Sequence, residues 1–248
     1  MKIVYRSFCD VGLKRQTNQD SIYTYANPQD NMYLFVVADG MGGHMQGEKA
    51  SGAITGALSE WCASFDSKVY GFDFQRIVVA LQNKLQEING TIFKELNQTQ
   101  VCGSTCVVLL IYKDCYATLS VGDSRIYQKR GFRFGPITED DVWENQRKVR
   151  DNLTKKQILS HPDYGKLLLA VGVEETVSIS RRTDVIKKGD VFLLCSDGLY
   201  KFCSENEMKK ALKSAAEKNL STMIERMVAE VYKRGAKDNI SVILVKCI

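Results

Sequence analysis

Residues 105–134 read TCVVLLIYKDCYATLSVGDSRIYQKRGFRF, and this stretch decides the fold class. Apolar and β-branched residues gather into short runs that break at Lys113-Asp114, Gly122-Asp123 and Arg130-Gly131. Such turn-forming pairs between β-rich runs predict an antiparallel meander. Upstream the period is helical. Ala50, Ala53, Ile54, Ala57, Leu58 and Trp61 predict a helix from about Gly47 to Ser64, and Ile77, Leu81, Leu85, Ile88 and Ile92 predict a second from Phe74 to Leu96. Before them Met32 to Ala38 (MYLFVVA) forms an apolar strand that stops at Asp39-Gly40. Downstream, residues 138–170 are polar and irregular, with a capped helical turn at TKKQILSHP, and read as an insertion or flap over a surface. Strands resume at Asp184–Ile186 and Asp190–Cys195 around a Lys187-Lys188-Gly189 turn. Helices are expected from Ser204 to Ala216 and from Leu220 to Lys233, and the chain ends on the alternating SVILVKCI. Helix pairs set between groups of antiparallel strands give an α+β class and argue against a doubly wound parallel sheet.

With 248 residues, 44% of them hydrophobic, 25% charged and three prolines, the chain is a globular protein able to bury a core, neither disordered nor fibrous. No repeat or Gly/Ser linker divides it, so residues 1–248 are expected to form one domain. The net charge of +5 is spread without a basic run, which gives no expectation of a nucleic-acid or membrane partner. The first residues lack the apolar stretch of a signal peptide, so a cytoplasmic location is expected. Eight cysteines without a C-x-x-C pair, several inside apolar runs, read as reduced buried thiols.

The aspartates are placed unusually. Asp20, Asp39, Asp123, Asp197 and Asp238 each end an apolar run or flank a glycine-containing turn, and Asp10 opens a related segment. A single such aspartate is ordinarily a turn former that caps its own backbone. The repetition in VVADG and LLCSDG is what points beyond that, because strand ends deliver side chains to one rim of a sheet. Two carboxylates ~4 Å apart repel by roughly 4 kcal/mol at an effective dielectric of ~20, so a cluster of them requires cations. With no histidine or cysteine at ligand spacing, the donors are all oxygen, the chemistry of magnesium or manganese.

These segments resemble, in order, the motifs of the protein phosphatase 2C (PPM) family in its bacterial form: Asp10 to Asp20 (DVGLKRQTNQD), Val37 to Glu48 (VADGMGGHMQGE), Gly103 to Thr105, Val121 to Arg125 (VGDSR), Gly189 to Leu199 (GDVFLLCSDGL) and Gly235 to Asn239 (GAKDN). The resemblance implies a central sandwich of two antiparallel β-sheets flanked by α-helix pairs. It also implies a binuclear Mn2+ or Mg2+ site, and a metal-dependent serine/threonine phosphatase that attacks phosphoserine and phosphothreonine with a hydroxide bridging the metals. By the same resemblance Asp39 would bridge two ions, Asp197 and Asp238 would complete the first, and the Gly40 carbonyl and Asp20 would serve the second. Asp123 with Asp197 would match a third, weaker metal position, Arg15 would grip the substrate phosphate, and Asn239 would orient its neighbours. The expected partners are phosphoproteins modified by a cytoplasmic Ser/Thr kinase.

The chemistry is coherent without the family. Two divalent ions ~3.5–4 Å apart bring the pKa of a shared water from 15.7 toward ~7 while screening phosphate charge. A guanidinium fork matches phosphate oxygens in pairs. Three departures from the family pattern stand out. Met41 occupies the place of the histidine that eukaryotic members carry two residues after the bridging aspartate, Asp140-Asp141 replaces the aspartate-histidine pair opening the insertion, and Leu168-Leu169-Ala170 replaces its closing leucine-threonine-arginine. His44 and His161 read as surface or loop-fixing residues. Rival readings remain open at this stage. Cys9 to Arg15 also fits the C-x-x-G-x-x-R loop of cysteine-dependent phosphatases, an inactive relative would act as a scaffold, and a two-metal enzyme could take small phosphate esters.

Overall fold

A computed structural model describes residues 1–42, 46–97, 101–214 and 217–248, without the side chains of Ser214 and Glu217. The elements run in chain order as β1 (Ile3–Asp10), β2 (Asp20–Asn27), β3 (Met32–Met41), α1 (Gln46–Ala63), α2 (Phe74–Glu95), β4 (Gly103–Ser104), β5 (Cys106–Tyr112), β6 (Cys115–Val121), β7 (Arg125–Arg130) and β8 (Arg133–Pro136). They continue through α3 (Arg147–Asn152), α4 (Lys155–Leu159), β9 (Ser180–Val185), β10 (Val191–Cys195), α5 (Asp197–Tyr200), α6 (Glu205–Ala211), α7 (Leu220–Lys233) and β11 (Ile240–Cys247). One sheet has the order β1-β11-β10-β7-β8 and the other β2-β3-β5-β6-β9, with β4 paired to β3, and every pairing is antiparallel.

Three apolar layers hold the elements together. Phe35, Leu109, Tyr116, Phe192, Leu194 and Ile243 fill the space between the sheets, where Tyr116 meets Phe192 edge-on at 4.9 Å and Tyr5 meets Phe35 at 5.1 Å. Such pairs add ~0.5–1.5 kcal/mol beyond the area they bury. Ile54, Leu58, Ile77, Leu81, Leu85 and Ile88 of α1 and α2 cover the outer face of the second sheet. Met208 of α6 and Met223, Met227 and Val231 of α7 cover the first. The α+β sandwich flanked by helices is thus as expected. Among the described residues no helix is long and apolar enough to cross a membrane.

The helices from the periodic runs agree closely: α1 and α2 lie within a residue or so of the expected bounds, and α7 matches them. The helix expected from Ser204 to Ala216 ends earlier, at Ala211, and passes into a 3-10 turn at Leu212–Ser214; Ala216 lies outside the described residues. The single meander expected over residues 105–134 is corrected. β5 and β6 form a hairpin in one sheet, while β7 and β8 form a hairpin in the other. The chain changes sheet at Gly122, whose φ of +96° is open to glycine and whose Cα packs against Thr105.

The turn at residues 187–189 likewise joins no hairpin, since β9 edges one sheet and β10 is central in the other. β10 is buried throughout, whereas β9 is polar and largely exposed, so its first residues carry no alternation to read. In the insertion, the capped turn is present as α4. Thr154 accepts from Gln157 N, and the Gln157 side chain accepts in return from Thr154 N.

Candidate active site

Strand register brings the separated aspartates to one end of the sandwich. Asp20 opens β2 directly opposite Asp39 near the end of β3. β5 starts and β6 ends at this same rim, Val107 pairing with Val37 and Cys106 with Val121, so Asp123 follows β6 there. In the other sheet Cys195 pairs with both Val242 and Arg125, and Ile240 pairs with Asp10. Asp197 just after β10, Asp238 just before β11 and the 11–19 loop after β1 therefore share that end. Ser196 ties the two sheets together, its hydroxyl donating to Asp20 Oδ2 at 2.7 Å and accepting from Ser241 N at 3.1 Å.

The electrostatics are those of crowded acids. Asp20 is 8% exposed, and its Oδ1 is buried without a hydrogen-bond partner. Burial, with the charges of Asp197 and Asp238 adding to it, pushes its carboxyl up to about 6 against the donation from Ser196. Asp39 is raised well above the usual carboxylate range, first by withdrawal from water and then by Asp20, Asp197, Asp123 and Asp238. Burial and Asp197 likewise raise Asp123. Two cations face this group. Arg15 holds Asp238 through both prongs, Nε to Oδ1 at 2.8 Å and Nη2 to Oδ2 at 2.9 Å, while Lys201 Nζ lies 2.5 Å from Asp197 Oδ2 and 4.0 Å from Asp123 Oδ2.

Backbone packing fixes these positions. A Cβ on Gly40 would meet Gly47 O at 2.1 Å and Gln19 O at 2.6 Å, so only glycine lets β3, the 11–19 loop and the start of α1 converge. Gly40 N donates to Gln19 O at 3.0 Å, and Asp39 N donates to Thr105 Oγ1 at 3.1 Å. Asn239, 5% exposed, binds three backbone groups of the loop: its Oδ1 accepts from Gln19 N at 2.9 Å, and its Nδ2 donates to Val11 O at 3.0 Å and Thr17 O at 3.1 Å. Asp10, by contrast, is a turn former. It accepts from Gly12 N at 2.7 Å and from Tyr232 OH at 2.6 Å.

Among the described residues no three histidine, cysteine, aspartate or glutamate side chains close into a ready-made ligand cluster. The donor set nevertheless fits hard divalent cations. Asp20 Oδ1 is an orphaned buried oxygen, Asp39 is destabilised by four neighbouring carboxylates, and every nearby acidic ligand is oxygen. The Arg15 and Lys201 side chains, about half exposed, partly balance this charge.

Several residues at the rim were not singled out from the sequence. Ser196 and Lys201 flank Asp197, Tyr200 donates to Asp123 Oδ2 at 3.2 Å, and Arg125 grips Asp140 in a fork, Nε to Oδ1 at 2.9 Å and Nη2 to Oδ2 at 2.6 Å. Asp141 Oδ2 accepts from Gly122 N at 2.9 Å, so the acidic pair at the head of the insertion moors it beside Asp123. Met41, 38% exposed, has no proton to give. His44 lies outside the described residues. His161 stacks on Trp143 at 3.9 Å, and its Nδ1 accepts from Asp163 N, which is the loop-fixing role expected of it.

The cysteine reading fares differently. All eight thiols are free, six of them buried. Cys9 sits in the β1 ladder opposite Ser241, with Asn18 donating to its sulfur at 3.1 Å. Although Cys9 is exposed, partial withdrawal of its sulfur from water, assisted by the Asp20 and Asp10 charges, pushes this thiol up, away from the thiolate a nucleophile needs.

A family model described as Protein phosphatase 2C matches residues 13–244. The serine/threonine phosphatase stp of Listeria monocytogenes is 31% identical over 241 residues, covering 96% of this chain and 93% of that protein. The S. agalactiae serine/threonine phosphatase superposes with a TM-score of 0.86 at 26% identity, each chain covered in full. The catalytic domain of the serine/threonine protein phosphatase PstP in complex with two manganese ions superposes with a TM-score of 0.81 at 26% identity, over 98% of this chain and 97% of that one. The chain belongs to the protein phosphatase 2C family.

Proposed function

We propose that this chain is a metal-dependent protein phosphatase that hydrolyses phosphoserine and phosphothreonine esters on proteins. The observation that carries the reading is the convergence of Asp20, Asp39, Asp123, Asp197 and Asp238, from five separate strand ends of two sheets, on one rim that also bears Arg15. In this reading Asp39 would serve two ions, Asp197 and Asp238 would hold one, and Asp20 with the Gly40 carbonyl would serve the other. When bound, two Mn2+ or Mg2+ ions supply a water acidified toward neutral pH and screen the charge of the phosphate.

The chain's own residues do the rest. Arg15 exchanges its Asp238 fork for two phosphate oxygens, since its planar donors match either partner and its side chain is half exposed. Ser196 holds Asp20 Oδ2 and leaves Oδ1 without a hydrogen-bond partner. Asn239 locks the 11–19 loop so that Arg15 and Asp20 keep their separation. Residues 138–170 act as a flap on a single catalytic domain of residues 1–248. A groove of about 400 Å3, lined by Asp140, Asp141, Asn145, Arg150 and Leu168, runs along that flap.

The partners in this reading are phosphoproteins made by a Ser/Thr kinase, and a reducing cytoplasmic setting agrees with eight unpaired thiols. The test is turnover of a phosphothreonine peptide with manganese added, then removed by chelator, set beside treatment with a thiol alkylator. Activity that follows the metal and ignores alkylation supports the proposal. Chelator-resistant, alkylation-sensitive activity overturns it.

A further inference from the structure

Lys201 caps the C-terminal end of α5, one helical turn beyond Asp197. Its ammonium lies 2.5 Å from Asp197 Oδ2 and 4.0 Å from Asp123 Oδ2. These are the two carboxylates that the family resemblance assigns to a third, weaker ion. Two further donors lie at that place. Tyr200 donates its hydroxyl to Asp123 Oδ2, and the Arg125 guanidinium lies 3.7 Å over the Tyr200 ring while gripping Asp140.

We infer that the Lys201 ammonium takes the place of the third ion, so that this phosphatase works with two metals and a tethered monocation. The inference rests on the two-metal reading above. A divalent ion needs anionic or neutral oxygens with free lone pairs. An ammonium offers three N–H donors and none, and its charge repels an incoming cation at contact range. An ion entering between Asp123 and Asp197 must therefore first expel Lys201 from both. The i,i+4 spacing that holds lysine over aspartate on one helical face keeps Lys201 in competition at every metal concentration. The Asp123–Asp197 pair is thus balanced from within the chain, and manganese uptake lacks a weak third phase.

The experiment counts manganese per chain by equilibrium dialysis up to millimolar metal, for the unaltered protein, Lys201→Arg, Lys201→Ala and the double variant Lys201→Ala/Asp123→Ala. Circular dichroism checks each fold, and Lys201→Gln, which keeps the stem and removes the charge, replaces Lys201→Ala if that variant does not fold. The expected counts are two for the unaltered protein and for Lys201→Arg, three for Lys201→Ala with the third ion weakest, and two again in the double variant. A third ion in the unaltered protein, or a Lys201→Ala count that stays at two, overturns the inference while leaving the two-metal reading intact. Fewer than two ions in the unaltered protein overturns that reading, and the inference with it.

Discussion

Asp20 and Asp39 stand directly opposite one another across the β2–β3 ladder, two carboxylates at a position where like charges destabilise a sheet. Among the described residues neither forms an ion pair with a lysine or arginine, and Asp20 Oδ1 has no hydrogen-bond partner. The fold keeps this pair at the cost of stability in the metal-free protein, and cations are what turn the cost into binding energy. Asp39→Asn therefore has two opposite effects. It should abolish phosphopeptide turnover, and in chelator at neutral pH it should raise the thermal midpoint by several degrees. Full turnover in the variant, or a lowered midpoint, would count against the shared-ligand role.

The same pair sets a pH dependence. The Asp20 carboxyl, pushed up to about 6 from an ordinary 3.8, takes up its proton in the folded state before the unfolded chain does. A raised folded pKa contributes stability that is fully present below the unfolded value and is lost as pH rises through the folded one. In chelator, urea unfolding at pH 5 should thus show the protein more stable than at pH 7.5, by roughly 1–1.5 kcal/mol if Asp20 acts alone. Manganese should invert the order, because protons then compete with the ions for the same oxygens. Equal slopes with and without metal would refute the account.

How far the sequence carried this reading depends on where physical information is local. The runs from Ala50 to Trp61 and from Ile77 to Ile92 bury one face of a helix each, so their period is visible in sequence and α1 and α2 were legible. The Asp39-Gly40 and Asp197-Gly198 strand ends were legible for a similar reason, an apolar strand terminating in a charge. Which sheet a strand joins is not local. Gly122 and the 187–189 turn look like hairpin turns, and only the packing of Thr105 on Gly122 and the central burial of β10 send the chain across the sandwich. Lys201 escaped for another reason. A lysine on a short helix is ordinarily a solvated residue, and its role exists only once Asp123, 77 residues from the Tyr200 hydroxyl that also binds it, has been folded beside it.

Asn239 connects stability to metal affinity. Its side chain satisfies Gln19 N, Val11 O and Thr17 O from a position 5% exposed, and truncation strands those groups. Asn239→Ala should lose roughly 2–3 kcal/mol in denaturant unfolding, the cost of leaving buried polar groups unpaired. It should also weaken manganese binding, because Asp20 and Gly40 follow Gln19 in position. A variant that loses stability but binds manganese as before would separate the two effects and remove Asn239 from the site's support.

Arg15 and Cys9 decide between the two phosphatase chemistries written over the same loop. Under the metal mechanism Arg15 clamps phosphate in substrate and transition state alike, so Arg15→Ala should raise the Michaelis constant on the order of 10-fold or more and change turnover less. Because Arg15 also occupies both oxygens of Asp238, its removal should leave manganese affinity intact or slightly higher. A purely structural arginine would not combine these two effects. Cys9→Ser keeps a small polar atom between Asn18 and Ser241 and should leave both kinetic constants near those of the parent, since a thiol pushed up by partial desolvation is not the attacking group. Steady-state kinetics of the two variants on one phosphopeptide, with manganese titrations alongside, give the answer. Activity lost in Cys9→Ser would assign the reaction to the thiolate, whereas a raised Michaelis constant confined to Arg15→Ala assigns it to the carboxylate rim.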